Sequence, residues 1–199
     1  MKVLILGGFL GSGKTTALMQ LARYAVSVCE PGRENKVVIL ENEVGEVGID
    51  DAYLRSGGFT VSNLFSGCAC CTVSGELVTA VSRIRSQLDP EWVIVETTGI
   101  AYPTNMQENM KNALGLDSHI CVLVDASRWK RLITPMRELL KGQLSGADAV
   151  LINKTDKVDK DTEDGVRRDI LELEPKSTMF AISALSPVPD KVWQHILGA

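Results

Sequence analysis

The sequence predicts an α/β protein with a doubly wound, mostly parallel sheet flanked by helices. Five apolar runs rich in Val, Ile and Leu recur along the chain, at residues 2–6, 36–40, 92–96, 120–125 and 149–153. These runs are continuous rather than alternating, which is typical of strands buried on both faces of a parallel sheet. Helix-periodic segments lie between them, and strands that alternate with helices form right-handed βαβ units.

Weaker patterns complete this architecture. Residues 177–183 predict a sixth strand, and the alternating segment 59–65 predicts a more exposed strand. Three groups of apolar residues recur at helical spacing: Leu77, Val81, Ile84 and Leu88; Met106, Met110 and Leu114; Val166, Ile170 and Leu173. The segment 129–140 is also helix-periodic, but Pro135 interrupts it. We therefore expect Thr134 to cap a second helix that begins at Pro135.

Composition limits the partners that this chain can have. The chain has 199 residues, of which 45% are hydrophobic, and this suits one domain over residues 1–199 with a sizeable core. The formal net charge is −4 and there is no basic stripe, so we expect no nucleic-acid partner. No apolar run approaches the roughly 18–20 residues that cross a membrane, so we expect no membrane partner and a cytoplasmic location. Thiols stay reduced there, and clustered cysteines favour metal or redox chemistry.

The motif "GFLGSGKT" at residues 8–15 has the pattern G-x-x-x-x-G-K-[ST], and it joins a predicted strand to a predicted helix. Its glycines allow backbone N–H groups to converge on phosphate oxygens. Lys14 would reach the β- and γ-phosphates, and the Thr15 hydroxyl would bind Mg²⁺. The sequence therefore predicts a P-loop NTPase fold, with these nucleotide-binding residues: Gly8, Gly11, Ser12, Gly13, Lys14, Thr15 and Thr16.

A second element, "VIVETTG", ends a predicted strand with Glu96 and places Gly99 three residues further on. In P-loop proteins this position holds an acidic residue near Mg²⁺, either directly or through water, and a glycine whose N–H can contact the γ-phosphate. The usual acid is Asp, so Glu96 is a variant of the pattern. Because it follows the phosphate loop at the expected distance, the motif supports a nucleotide site.

A third element, "LINKTDKV", predicts which base is bound. A carboxylate spaced like Asp156 can accept hydrogen bonds from guanine N1–H and its exocyclic amine, whereas adenine offers neither donor. Lys154 would cover the base face and Asn153 would brace the loop. The segment "ISAL", with Ser183 and Ala184, could place a backbone N–H near guanine O6. These residues favour GTP over ATP.

The sequence lacks the usual residue that orients water for hydrolysis. Ile100 follows Gly99 at the position where many GTPases place a glutamine that orients water. Lys14 is a candidate catalytic residue, and the candidates for positioning water are Glu43, Asp50 and Glu96. We therefore expect slow intrinsic turnover that dimerisation, metal or a client would raise.

Five pieces, in order "GFLGSGKTT", "ENEVGEVGIDD", "GCACC", "VIVETTGIAYPT" and "NKTD", together resemble the CobW/HypB/UreG family of metallochaperone GTPases, specifically its CobW-like branch. The resemblance implies that GTP binding and hydrolysis, with Mg²⁺, control delivery of a transition metal, zinc or cobalt, to a client. The implied partners are a client metalloprotein or a metal-cofactor enzyme, and a second copy of the chain in a GTP-dependent homodimer.

This sequence departs from the family pattern in two respects. CobW-like members commonly carry a C-terminal domain and often a His-rich tract, whereas this chain has only His119 and His195. We therefore expect residues 1–199 to form the GTPase domain alone. The motif "GCACC" also differs from the Cys-Pro-His motif of UreG, so the resemblance does not imply nickel or urease.

The cysteine cluster allows two ligand sets. Cys68 and Cys71 have the C-x-x-C spacing of thiolates that share one metal, and Cys70 between them could be a third ligand. Thiolates favour Zn²⁺, Co²⁺ or Cu⁺ over Mg²⁺. The family resemblance points instead to Glu41 and Glu46 together with Cys70. A redox pair and buried cysteines without a function are the remaining interpretations.

The leading hypothesis for function is a GTP-hydrolysing metal chaperone. In it, Mg²⁺·GTP orders the segment 41–50, which moves Glu41 and Glu46 relative to the cysteines. One alternative is a GTPase that services a corrinoid or other metal-cofactor enzyme. Another is a nucleotide-binding redox or metal sensor whose hydrolysis is incidental.

Overall fold

The fold is described from a computed structural model of the chain. The described residues are 1–32, 35–41, 59–63 and 73–198. They cover all three nucleotide motifs and every strand that the sequence predicts.

Seven strands form one sheet in the order β3-β2-β4-β1-β5-β6-β7. Their bounds are β1 Lys2–Gly8, β2 Val37–Glu41, β3 Phe59–Asn63, β4 Trp92–Glu96, β5 Ser118–Asp125, β6 Ala149–Asn153 and β7 Thr178–Ala181. Each pairing between these strands is parallel. The predicted doubly wound parallel sheet is therefore confirmed, and the alternating strand β3 lies at its edge.

Seven α-helices flank the sheet in the described part of the chain. They are α1 Lys14–Val28, α2 Val73–Gln87, α3 Pro103–Leu114, α4 Ala126–Leu132, α5 Arg137–Leu144, α6 Lys160–Leu173 and α7 Asp190–Leu197, with a short 3₁₀ turn at Thr155–Lys157. Over these same residues, no helix combines the length and the apolar character needed to span a bilayer.

The core consists of one aliphatic layer on each face of the sheet. Side chains alternate along a strand, so in β1 Leu4 and Leu6 join one layer while Val3 and Ile5 join the other. Helices α1 and α7 pack on the first face, and α2 to α6 pack on the second. Burial on both faces explains why the strands are continuous apolar runs.

One predicted helix boundary is wrong. Thr134 does not cap a helix that begins at Pro135, because the residues around them form a turn and α5 begins at Arg137 after Met136. The amide of Met136 donates to the carbonyl of Leu132, so the backbone stays hydrogen-bonded to the end of α4 through this turn. The new helix can start only once that turn is complete.

The topology brings polar residues together at the carboxyl ends of the strands. In the strand register Glu96 of β4 lies beside both Leu6 of β1 and Glu41 of β2. On the other side of β1, Asp125 of β5 pairs with Asn153 of β6. Strands β2 to β4 lie on one side of β1, and strands β5 to β7 lie on the other. Ligands of open α/β sheets bind in the crevice at the point where the strand order changes direction in this way.

Candidate nucleotide and metal site

The phosphate loop, residues 8–15, connects β1 to the first turn of α1 at this crevice. Lys14 is buried, and its Nζ donates to the carbonyl of Gly8 at 3.1 Å, so the side chain folds back over its own loop. Backbone N–H groups and the positive end of a helix dipole together favour an anion at such a position. The predicted phosphate-binding residues thus surround one helix N-terminus.

The magnesium candidates Thr15 and Glu96 are in direct contact. The Thr15 hydroxyl donates to Glu96 Oε1 at 3.0 Å, although 81 residues separate the two in sequence. Glu96 is only 2% exposed. A hydroxyl and a carboxylate side by side are hard oxygen donors, which is the ligand chemistry that Mg²⁺ prefers.

Glu41, a candidate transition-metal ligand, lies next to this pair. Its Cα is in register with that of Glu96, and neighbouring strands lie about 4.8 Å apart. The other predicted ligands and water-positioning residues lie outside the described residues: Glu43, Glu46, Asp50, Cys68, Cys70 and Cys71. Within residues 1–32, 35–41, 59–63 and 73–198, no three His, Cys, Asp or Glu side chains form a group that could hold a metal.

Gly99 packs directly against the phosphate loop. A Cβ at this position would lie 2.8 Å from the backbone nitrogen of Leu10 and 2.9 Å from its Cα, so only glycine allows this approach. Ile100, the next residue, is 70% exposed. The loop that follows β4 therefore contacts the loop that follows β1.

Gln143 of α5 anchors the same loop, and no motif in the sequence signals it. The side chain is 1% exposed, and its Nε2 donates to the carbonyls of Gly99 at 3.0 Å and Ala101 at 3.4 Å. Its Oε1 is buried and has no hydrogen-bond partner among the described residues. Gln143 therefore ties the loop after β4 to α5 through two backbone carbonyls.

A pocket of about 120 Å³ lies beside the phosphate loop. It is lined by Gly13, Thr16, Asn153, Lys154, Asp156, Lys157, Ser183, Ala184 and Leu185. Asn153 braces this pocket, because its Nδ2 donates to the Ser12 carbonyl at 2.8 Å and its Oδ1 accepts from the Ala184 N–H at 2.9 Å. The residues that the sequence assigned to base recognition therefore line one cavity.

Lys154 has a position that the motif alone does not predict. Its ammonium donates to Asp125 Oδ2 and to the Gly11 carbonyl, both at 2.7 Å. Its backbone is left-handed, with φ of 64°, a conformation that costs free energy in a residue with a Cβ. Because the ammonium is engaged by Asp125 and by the Gly11 carbonyl, the aliphatic stem is the part of Lys154 that could cover a base.

Asp125 belongs to no predicted motif, and its carboxylate lies at the centre of a hydrogen-bond network that includes Lys154. Its side chain is 2% exposed, and Oδ1 accepts from the amide and hydroxyl of Ser127, at 3.0 and 2.6 Å. Oδ2 accepts from Arg128 Nε at 2.6 Å and from Lys154. The sequence does contain a signal for Asp125, because an acidic residue ends this apolar strand as Glu96 ends β4.

Hydrogen bonding and charge set the ionisation of Asp125. Burial alone would raise the pKa of its carboxyl, but hydrogen bonds from Lys154, Ser127 and Arg128 and the charge of Lys154 outweigh burial and lower the pKa. The carboxylate is therefore ionised at neutral pH, as a group that holds two cations must be.

These features define a P-loop nucleotide-binding protein. Residues 2–181 match the family described as CobW/HypB/UreG, nucleotide-binding domain, and the chain belongs to this family. The match confirms the resemblance seen in the five sequence motifs.

Curated relatives agree with this assignment, and a solved structure shares the fold. The chain is 28% identical over 169 residues to the zinc chaperone YeiR of Escherichia coli, covering 82% of this chain and 49% of that protein. It is 31% identical over 184 residues to zinc-regulated GTPase metalloprotein activator 1 of Schizosaccharomyces pombe, covering 86% and 43%. HypB from Helicobacter pylori, in complex with nickel, has the same fold, with a TM-score of 0.66 at 22% identity over 100% of this chain and 84% of that one. The chain spans about half the length of the curated relatives it matches.

Replacing Asn153 tests how the pocket is braced. Asn153→Ala removes both hydrogen bonds and leaves the Ser12 carbonyl and the Ala184 N–H without them. We expect the free energy of unfolding without nucleotide to fall by about 1–3 kcal/mol, measured by urea denaturation. Asn112→Ala, at an exposed position of α3, is the matched control and should change it by less than about 0.5 kcal/mol. Equal shifts in the two variants would contradict the bracing role.

The lowered pKa of Asp125 predicts a specific pH dependence. A carboxylate whose folded-state pKa lies below its ordinary value of 3.8 contributes stability above that pH, and this stability is lost as the pH falls through the folded-state pKa. The gap in unfolding free energy between wild type and Asp125→Asn should stay constant from about pH 7 to 5 and narrow below about pH 4.

Urea denaturation at a series of pH values measures this gap. The matched control is Asp117→Asn, since Asp117 pairs with Lys111 at 2.6 Å on the exposed surface and should show a gap of at most about 1 kcal/mol. If the difference in unfolding free energy between wild type and Asp125→Asn instead grew as the pH fell, folding would not lower the pKa of Asp125.

Proposed function

We propose that this chain binds GTP, hydrolyses it to GDP and phosphate, and couples the nucleotide state to the binding and delivery of a transition metal. The observation that carries the proposal is the contact of Thr15 with Glu96, with Glu41 in register beside them. This supports the proposal because Glu41, a candidate ligand for the delivered metal, ends the strand next to the one that ends in Glu96, a candidate ligand for Mg²⁺.

The base pocket supports guanine. Asp156 is exposed at the pocket wall, where its carboxylate could accept hydrogen bonds from guanine N1–H and the exocyclic amine. Adenine has no donors to offer there, and its own groups would leave the carboxylate unpaired. The Ala184 N–H already donates to Asn153 Oδ1, so a hydrogen bond from it to guanine O6 would require Ala184 to exchange that partner.

The phosphate side of the site fits Mg²⁺·GTP. Thr15 and Glu96 would hold Mg²⁺, since their oxygens already meet and Glu96 is a buried carboxylate. When bound, Mg²⁺ supplies positive charge that offsets the charge of the β- and γ-phosphates. Lys14 would exchange its hydrogen bond with the Gly8 carbonyl for the phosphates, and Gly99 would contact the γ-phosphate through its N–H.

Zinc is the metal that we propose for delivery, because the relatives YeiR and the fission-yeast activator are named for zinc. Glu41 and Glu46 with Cys70, or the thiolates of Cys68, Cys70 and Cys71, would bind it, since thiolates suit Zn²⁺. Cobalt remains the alternative ion. We further propose that the activity is cytoplasmic, where thiols stay reduced, and that its partners are a client metalloprotein or metal-cofactor enzyme and a second copy of the chain.

Coupling follows from the shared end of the sheet. Glu41 is the last residue of β2, so any change in the segment after it that accompanies hydrolysis begins beside Glu96. If nucleotide and metal both shift the conformation of this segment, each changes the binding affinity of the other by the same factor.

Zinc titration in the presence of nucleotide tests the proposal. The reduced chain is titrated with zinc against a competing chelator, with Mg²⁺·GDP and with Mg²⁺ and a non-hydrolysable GTP analogue. We expect zinc affinities that differ by about 5–150-fold between the two forms. Glu41→Gln and Cys70→Ala should lower zinc affinity in both forms.

Matched controls separate ligand loss from general effects. Glu172→Gln removes an exposed carboxylate from α6, and Cys121→Ala removes a buried thiol of β5; both should keep the wild-type zinc affinities. Lys14→Ala should abolish the dependence on nucleotide. Equal zinc affinities in the nucleotide-free, GDP and GTP-analogue forms would refute the coupling.

A further inference from the structure

Arg128 of α4 contacts the tip of the phosphate loop from outside the nucleotide crevice. Its Nη2 donates to the Leu10 carbonyl at 2.5 Å, and its Nε donates to Asp125 Oδ2 at 2.6 Å. A guanidinium is rigid and planar, so two hydrogen bonds to different acceptors fix both its place and its orientation. The carboxylate of Asp125 is itself fixed by Ser127.

Holding the Leu10 carbonyl also orients the N–H of Gly11. Both groups belong to one planar trans peptide, in which the C=O and N–H point in opposite directions. With the carbonyl turned outward to Arg128, the N–H of Gly11 faces the other way. Gly11 has φ of 72°, and a Cβ there would lie 3.0 Å from Arg128 Nη2, so the glycine leaves room for the guanidinium.

The same carboxylate oxygen holds Lys154, which binds the next carbonyl of the loop. Asp125 Oδ2 accepts from both cations, and Lys154 donates to Gly11 O while Arg128 donates to Leu10 O. One buried carboxylate thus connects two consecutive peptides of the phosphate loop to the lysine that lines the base pocket.

We propose that Arg128 is a positioning residue for nucleotide phosphates, which acts by fixing the Leu10–Gly11 peptide and is itself held by Asp125. This inference rests on the proposed guanine-nucleotide site and assigns that site a residue outside its three motifs. The hydrogen bonds of Arg128 go to Asp125 and to the phosphate loop, so its effect should depend on the phosphates of the ligand and not on the base.

Comparison of GDP with guanosine tests this role. Binding of Mg²⁺·GDP and of guanosine is measured at low temperature by competition with a fluorescent GDP analogue. Arg128→Ala should weaken GDP binding about 10-fold, because a charge-assisted hydrogen bond that orients the loop is lost. Guanosine binding should stay within about twofold of wild type, since it makes no phosphate contacts.

Arg128→Lys provides the conservative variant. A lysine can reach one of the two acceptors but cannot reproduce the fork, so its GDP affinity should lie between those of wild type and Arg128→Ala. Arg131→Ala, at an exposed position of the same helix, is the matched control and should keep wild-type affinity for both ligands. If Arg128→Ala does not fold, Arg128→Lys decides the question.

The outcomes separate this inference from the function on which it rests. If wild type binds neither GDP nor a GTP analogue, the proposed function fails. If wild type binds GDP and Arg128→Ala and Arg128→Lys bind it equally well, only the role of Arg128 fails. If both variants lose GDP and guanosine affinity to the same extent, Arg128 supports the whole pocket and the phosphate-specific role is overturned.

Discussion

The peptides of a phosphate loop must turn their carbonyls away from the ligand so that N–H groups can face it, and side chains around this loop enforce that constraint. Three carbonyls of the loop accept from side chains outside it: Leu10 from Arg128, Gly11 from Lys154 and Ser12 from Asn153. These donors come from β6 or from the segments that follow β5 and β6. The loop is therefore oriented largely by strand ends that lie on the other side of β1.

Buried charge is the cost of this arrangement, and pairing offsets it. An isolated carboxylate with the burial of Asp125 would be strongly destabilising, but two cations and a hydroxyl satisfy its oxygens. On the opposite side of β1, Glu41 and Glu96 place two carboxyl groups on neighbouring strands.

The sequence predicted the sheet because continuous apolar runs encode burial on both faces, and it predicted the pocket because its motifs follow strands. It did not predict Arg128 or Gln143, since each acts through a contact more than 40 residues away that no local pattern encodes. Asp125 could have been predicted from its place at a strand end. The break between α4 and α5 was misplaced because the turn is held by the Leu132 carbonyl rather than by a cap.

If the crevice at β1 selects a guanine nucleotide, calorimetric titration of the reduced wild-type chain will distinguish Mg²⁺·GDP from Mg²⁺·ADP. The two ligands carry the same phosphates, so they differ only in what the pocket around Asp156 and Ala184 recognises. We predict that GDP binds at least about 100-fold more tightly than ADP, because adenine leaves the Asp156 carboxylate without a donor. Equal affinities for GDP and ADP would show that the pocket does not select guanine.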